Sequence, residues 1–236
     1  MPPSWDCVPL PRSASTSMTP DLFDGDPLGA PPSGPLVLGP GAALLRGFAL
    51  PVAQALRDEV LAIARSAPWR HMETPGGRQM SVATTSCGDL GWVSDRRGYR
   101  YVARDPVSGA PWPTMPAMFR TLAREAAAAA GHPGFDPDSC LVNRYAPGTR
   151  LSLHQDRDER DLQAPIVSVS LGLGAVFLWG GLARTGRAER VPLQHGDVVV
   201  WGGPDRLRFH GVLPVREGAH PQWGDARVNL TFRRAG

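Results

Sequence analysis

Arg227-Val228-Asn229-Leu230-Thr231-Phe232-Arg233 alternates polar and apolar residues without a break. Successive side chains on a β-strand project to opposite sides. The run therefore predicts a strand with one apolar face, Val228, Leu230 and Phe232, and one polar face, Arg227, Asn229, Thr231 and Arg233. Upstream, from Cys140 onward, Gly, Pro and Asp separate other short β-rich runs: Leu141 to Tyr145, Ile166 to Leu171, Ala175 to Trp179, Asp197 to Trp201 and Phe209 to Leu213. Such spacing predicts a sandwich or barrel rather than βαβ units. The expected fold is mixed, mainly β: an antiparallel jelly roll preceded by a mixed α/β N-terminal region.

Two helices are expected in that region. Val52, Leu56, Val60 and Ile63 recur at helical spacing, predicting a helix from Pro51 to Ser66 after a strand at Leu44-Leu45, and Pro51 suits a first helical turn. A second helix, Pro116 to Ala130, carries Met118, Leu122 and an alanine run and stops at Gly131-His132-Pro133-Gly134. Residues 1–40 are rich in Pro, Gly, Ser and Ala and hold few large apolar groups, so they are expected to form a mobile tail, with order beginning near Ala42.

A chain of 236 residues can bury one substantial core, so residues 41–236 are read as a single domain. Cys7, Cys87 and Cys140 are odd in number and contain no CxxC pair. That argues against a disulfide framework and a structural zinc site, and for a reducing, cytoplasmic setting. Neither a secretory leader nor a run of about 18 apolar residues is present, so no membrane partner is expected. All 25 basic residues are arginine and the net charge is +3. Planar guanidinium forks suit phosphates and carboxylates, though scattered surface charge alone gives the same composition.

His154-Gln155-Asp156 is the chemical signal. On an extended segment, residues two apart face the same side, so His154 and Asp156 can grip one ion, with His210 arriving from a later strand. Two histidines and one carboxylate leave open positions on a metal, the ligand set of non-haem Fe(II) oxygenases. An HxD triplet alone arises often by chance, and His210 could merely satisfy a hydrogen bond. The arginine strand changes that balance. Arg227 and Arg233 lie at most ~20 Å apart at strand rise, close enough for their side chains to bracket a small dicarboxylate. Asn143 and Tyr145 share one face of their own strand and add an amide and a phenol.

Over roughly residues 19–236 the chain resembles the AlkB-type Fe(II)/2-oxoglutarate-dependent repair dioxygenases. The likeness is carried by Thr74-Pro75-Gly76-Gly77, Leu90-Gly91-Trp92, Asn143-Arg144-Tyr145-Ala146-Pro147-Gly148, Leu151 to Glu159, Pro165 to Gly172, His195 to Gly203 and Asn229 to Arg233. It implies a double-stranded β-helix, with a nucleotide-recognition lid over about 70–105 and a catalytic core over about 139–236. It implies that His154, Asp156 and His210 are the catalytic iron ligands. By the same resemblance Asn143, Tyr145, Arg227, Asn229 and Arg233 hold 2-oxoglutarate, Arg227 at its distal carboxylate and Arg233 at the iron-bound end, with O2 as the second co-substrate.

On the substrate side the resemblance implies that Trp92 stacks on an extruded base and that Tyr99 and Tyr101 contact the nearby backbone. Asp158 would meet the exocyclic amine, and Arg184 would lie near the substrate. The implied partner is alkylated single-stranded DNA bearing 1-methyladenine or 3-methylcytosine, with double-stranded DNA or RNA as further partners, and the enzyme is expected to be a monomer. Arg78 and Thr84 stand where a bulkier or aromatic lid residue is expected, which leaves damage preference open. Two rivals remain: an oxygenase acting on methylated RNA or protein, and a non-catalytic damage-binding module.

Overall fold

Alternation along Arg227–Arg233 is satisfied on both sides, because this strand lies inside a sheet with packing above and below it. In a computed structural model the described residues are 34–236, which form one unit. The expected tail falls outside them for residues 1–33, but order begins earlier than Ala42: β1 spans Leu36–Gly39 and pairs with β2, Ala42–Leu45. A short 3-10 turn at Leu50–Val52 leads into α1, Ala53–Ser66. Next come β3, Arg70–Glu73, and β4, Gln79–Gly88, then the hairpin strands β5, Gly91–Asp95, and β6, Gly98–Val102. Helix α2, Ala117–Ala129, begins after Pro116.

The remaining strands are β7, Ser139–Tyr145; β8, Leu151–His154; β9, Ile166–Gly172; β10, Ala175–Trp179; β11, Glu189–Leu193; β12, Val198–Trp201; β13, His210–Val212; and β14, Arg227–Arg233. An eight-stranded sheet runs β1-β2-β12-β9-β14-β7-β4-β3, and a four-stranded sheet runs β11-β10-β13-β8. All of their pairings are antiparallel, and the two sheets make the expected jelly roll. The large sheet also recruits β1 to β4, so the jelly roll draws on residues well before the expected core start near 139. Within the expected lid stretch, β3 and β4 extend the main sheet, and β5 with β6 forms a separate two-stranded ribbon.

Period-two alternation sorts the core into two layers. Val228, Leu230 and Phe232 join Val167, Val169, Leu171, Val198 and Val200 under the helices, where Leu56, Val60 and Ile63 of α1 and Phe119, Leu122 and Ala126 of α2 meet them. The alanines of α2 keep its buried face shallow, letting the helix lie close to the sheet. On the opposite face Leu44, Tyr145, Ile166, Val199 and Trp201 pack against Phe177, Trp179, Leu193 and Val212 of the smaller sheet. The polar residues of β14 point into this inter-sheet space. Among the described residues no helix is long and apolar enough to cross a membrane.

Leu56 is fully buried between α1 and the sheet. Leu56→Ala is expected to lower unfolding stability by about 2–5 kcal/mol through lost burial and a cavity. Urea titration should show a lower midpoint with an unchanged slope.

Candidate metal centre

Pairing of β8 with β13 sets His210 directly opposite His154, which puts both rings on one face, their centroids 4.4 Å apart. Strand β8 ends at His154, so Asp156 lies just beyond it and not on an extended run through the triplet. It still comes back to the histidines. Its Oδ1 is 3.5 Å from His154 Nε2 and its Oδ2 is 3.7 Å from His210 Nε2. One ligand atom from each of the three residues lies within 4.8 Å of the other two.

The surroundings prepare these atoms for a cation. His154 Nδ1 lies 2.9 Å from the Ser152 carbonyl and His210 Nδ1 lies 3.0 Å from the Arg208 carbonyl. With Nδ1–H donated to a carbonyl, each ring turns its Nε2 lone pair inward, the usual outer support of a metal-binding imidazole. Burial, with His154 beside it, pulls His210 down to about 4, so it is neutral near pH 7. Burial opposes charge on His154 too, but the Asp156 carboxylate outweighs it and raises that ring above its ordinary value. Burial would likewise raise Asp156, yet Arg233 and the two histidines hold it well below the usual carboxylate range. Trp201 and Phe177 wall His210 at ring distances of 4.9 and 5.9 Å.

Arg233 donates to Asp156 Oδ2 from Nη2 at 2.5 Å and from Nε at 3.0 Å. Arg227, six residues earlier on the same face of β14, is only 1 % exposed. Its Nη2 donates to Ser170 Oγ at 3.1 Å, and its guanidinium lies 4.8 Å from the centre of the Tyr145 ring. Its Nε and Nη1 find no hydrogen-bond partner, and no carboxylate among the described residues pairs with it. Burial accordingly lowers its proton affinity. A buried guanidinium with free donors is costly unless an anion meets it. Asn229 and Asn143 face each other in register on β14 and β7, with Arg227 opposite Tyr145, so the expected clamp residues share one patch. Asn229 is anchored to Ser168 Oγ and the Val169 carbonyl.

Substrate-side residues divide. Trp92 stacks on Tyr99, with ring centres 5.6 Å apart, and its Nε1 donates to Asp158 Oδ2 at 3.1 Å. The Tyr101 hydroxyl donates to Glu159 Oε1 at 2.8 Å. Arg184 sits exposed in the loop between β10 and β11 and joins none of these contacts. Glu159 and Arg206 lie beside Asp156 without having been singled out from the sequence. Glu159 had a signal, three residues past Asp156 in a quoted motif, whereas nothing local marks Arg206.

This geometry suits a divalent ion held by two imidazoles and a carboxylate, with an anion drawn to Arg227. Residues 41–233 match the 2OG-Fe(II) oxygenase superfamily, which uses Fe(II), 2-oxoglutarate and O2. Identity is 55% over 198 residues with the alpha-ketoglutarate-dependent dioxygenase AlkB of Salmonella typhimurium, covering 84% of this chain and 92% of that one. It is 54% over 217 residues with the Escherichia coli AlkB dioxygenase, covering 92% and 98%. The solved structure of OsALKBH1 superposes with a TM-score of 0.74 at 30% identity, over 85% of this chain and 99% of that one. The chain thus belongs to the 2OG-Fe(II) oxygenases and, within them, to the AlkB dioxygenases.

Arg227→Met removes the uncompensated charge and keeps the bulk. Without co-substrate its melting temperature should equal or exceed that of the unaltered protein. At 100 times the dissociation constant, 2-oxoglutarate should stabilise the unaltered protein by about 2.7 kcal/mol, and Arg227→Met should show little of this. Equal stabilisation of both proteins in differential scanning fluorimetry with Mn(II) would remove Arg227 from the clamp.

Proposed function

We propose that this chain oxidatively demethylates 1-methyladenine and 3-methylcytosine in single-stranded DNA, acting as a cytoplasmic monomer. The observation that carries the reading is the convergence of the His154, Asp156 and His210 ligand atoms within 4.8 Å of one another, together with two unpartnered donors on the buried Arg227 guanidinium. An ion and a dianionic co-substrate answer both.

In this reading His154, Asp156 and His210 hold Fe(II). Asn143, Tyr145, Arg227, Asn229 and Arg233 hold 2-oxoglutarate. When bound, iron and 2-oxoglutarate supply an oxidant from O2, with succinate and CO2 as products, and this chemistry is theirs rather than the protein's. The chain's own contribution is placement. Arg233 fixes the Asp156 carboxylate, the backbone carbonyls fix both imidazoles, and Trp201 and Phe177 keep water from His210. Hydroxylation of an N-methyl carbon leaves a hemiaminal that expels formaldehyde and restores the base.

Methylated N1 of adenine and N3 of cytosine lie on the Watson–Crick edge, so the base has to leave a duplex or already be single-stranded. Trp92 offers a stacking face and Asp158 an acceptor for an exocyclic amine, and the hydrogen bond between them puts the two groups side by side. Tyr99 and Tyr101 are assigned to the nearby nucleic-acid backbone and Arg184 to a contact near the substrate.

The test is mass spectrometry of a methylated oligonucleotide incubated with Fe(II), 2-oxoglutarate and O2. Loss of one methyl group with stoichiometric formaldehyde is expected, and His154→Ala or Asp156→Ala should abolish both. Full activity in either variant, after anaerobic iron loading, would overturn the metal assignment. Competition among methylated DNA, RNA and peptide decides the substrate class. Tight damage binding without turnover would instead favour a binding module. Trp92→Ala should weaken oligonucleotide binding by about 1–3 kcal/mol, the worth of base–aromatic stacking, as read by fluorescence anisotropy.

A further inference from the structure

Beside the metal ligands lies a buried ionic group that the reaction does not itself require. Glu159 is 7% exposed and is met from three directions, by two hydrogen bonds and one ion pair. Arg206 Nη2 reaches Oε2 at 3.1 Å, while the Tyr101 hydroxyl at 2.8 Å and Arg233 Nε at 3.1 Å share Oε1. Arg206 is itself tied to the backbone, Nη1 to the Asp156 carbonyl at 2.7 Å and Nε to the Ala164 carbonyl at 2.9 Å. Glu159 is therefore clamped at one oxygen to the segment that carries Asp156. Its other oxygen is divided between the β5–β6 hairpin and Arg233.

That division matters because Arg233 Nε, which donates to Asp156 Oδ2 at 3.0 Å, also lies 3.1 Å from Glu159 Oε1 as an ion pair. A guanidinium held between two carboxylates leans toward whichever is less satisfied. With the Tyr101 hydroxyl seated on Oε1, part of that oxygen's demand is met and the guanidinium stays with Asp156. Without it, Oε1 has Arg233 alone to draw on. Tyr101 stands opposite Trp92 in the hairpin register, so the residue that reaches Glu159 and the stacking indole move on one ribbon.

We propose that Glu159 is a positioning residue through which the β5–β6 hairpin, by way of Tyr101, sets the Arg233 guanidinium and so tunes affinity for 2-oxoglutarate. The proposal rests on the reading of Arg233 as a 2-oxoglutarate contact. Binding at the two sites is then reciprocal: whatever seats the hairpin tightens 2-oxoglutarate, and 2-oxoglutarate favours the seated hairpin.

The experiment is calorimetric titration of 2-oxoglutarate into the full chain loaded with Mn(II) without O2, with and without a methylated oligonucleotide. Tyr101→Phe deletes only the hydroxyl and should weaken 2-oxoglutarate by about fivefold or more, within the usual range of coupling between sites. Glu159→Gln should weaken it at least as much, Glu159→Asp less. The double variant should bind no worse than Glu159→Gln, because both changes cut one path. The oligonucleotide should tighten 2-oxoglutarate in the unaltered protein and not in Tyr101→Phe. Unchanged affinity in Tyr101→Phe, or a double variant whose losses multiply, overturns the proposal. If Glu159→Gln does not fold, as thermal melting would show, Tyr101→Phe alone decides. Arg233→Met separates the two levels of reading. If it binds 2-oxoglutarate normally, the Arg233 assignment falls. If it loses binding while Tyr101→Phe and Glu159→Gln retain theirs, only the positioning role falls.

Discussion

Strand β14 lies between β7 and β9 in the middle of the large sheet, with helices over one face and the smaller sheet over the other, so neither face turns to water. This constraint governs the molecule. An apolar face on such a strand is ordinary and is met by the helices. A polar face is not, because every donor and charge on it must be matched inside the protein. Arg227, Asn229, Thr231 and Arg233 are all buried, and the inter-sheet space is organised around answering them. Asn229 finds Ser168, Thr231 finds Asn229, and Arg233 finds two carboxylates. Arg227 finds a hydroxyl and an aromatic ring but no acid.

Charge bookkeeping gives that exception its meaning. Asp156 and Glu159 offset Arg206 and Arg233, so the cluster around the carboxylate ligand is neutral by itself. Adding a divalent ion and the unmatched Arg227 leaves excess positive charge in a low-dielectric interior, where charges of like sign are expensive. A dianion removes most of that excess at once. The polar strand therefore selects for charge as well as shape: a neutral analogue of the same length would leave Arg227 as poorly satisfied as before.

Much of this was legible from period alone. Val228, Leu230 and Phe232 alternating with four polar residues predicted β14 to its ends, and the spacing of Val52, Leu56, Val60 and Ile63 placed α1 within two residues of its start. Strand β8 was missed as a strand because Leu151-Ser152-Leu153-His154 is short and precedes a polar run, so periodicity had little to work on. The place of β3 and β4 in the main sheet, inside the stretch that the family resemblance assigns to a lid, follows from pairing of β4 with β7 and of β3 with β4, a long-range fact that no local pattern records. In the site, His154, Asp156 and His210, which the structure brings together, were named from the HxD spacing and a later histidine. Arg206 was not, because it acts through backbone carbonyls at Asp156 and Ala164, and no local pattern records a contact made across such separations.

The hairpin is where fold and chemistry become hard to separate. Trp92 and Tyr101 face each other in register, one reaching Asp158 and the other Glu159, neighbours just past the carboxylate ligand. A hairpin of two strands is marginal on its own, so its seating depends on contacts such as these. Nearby on the same inward face, Thr84, Ser86 and Ser139 bury hydroxyls that have no protein partner. Leaving such groups unmet costs roughly 1–3 kcal/mol each, and a sheet built only for stability would place apolar side chains there. Their polarity extends the unanswered demand of Arg227 toward the side where the hairpin sits. Unpartnered polar groups thus gather on the inward face of β4, β7 and β14, where binding has free energy to recover.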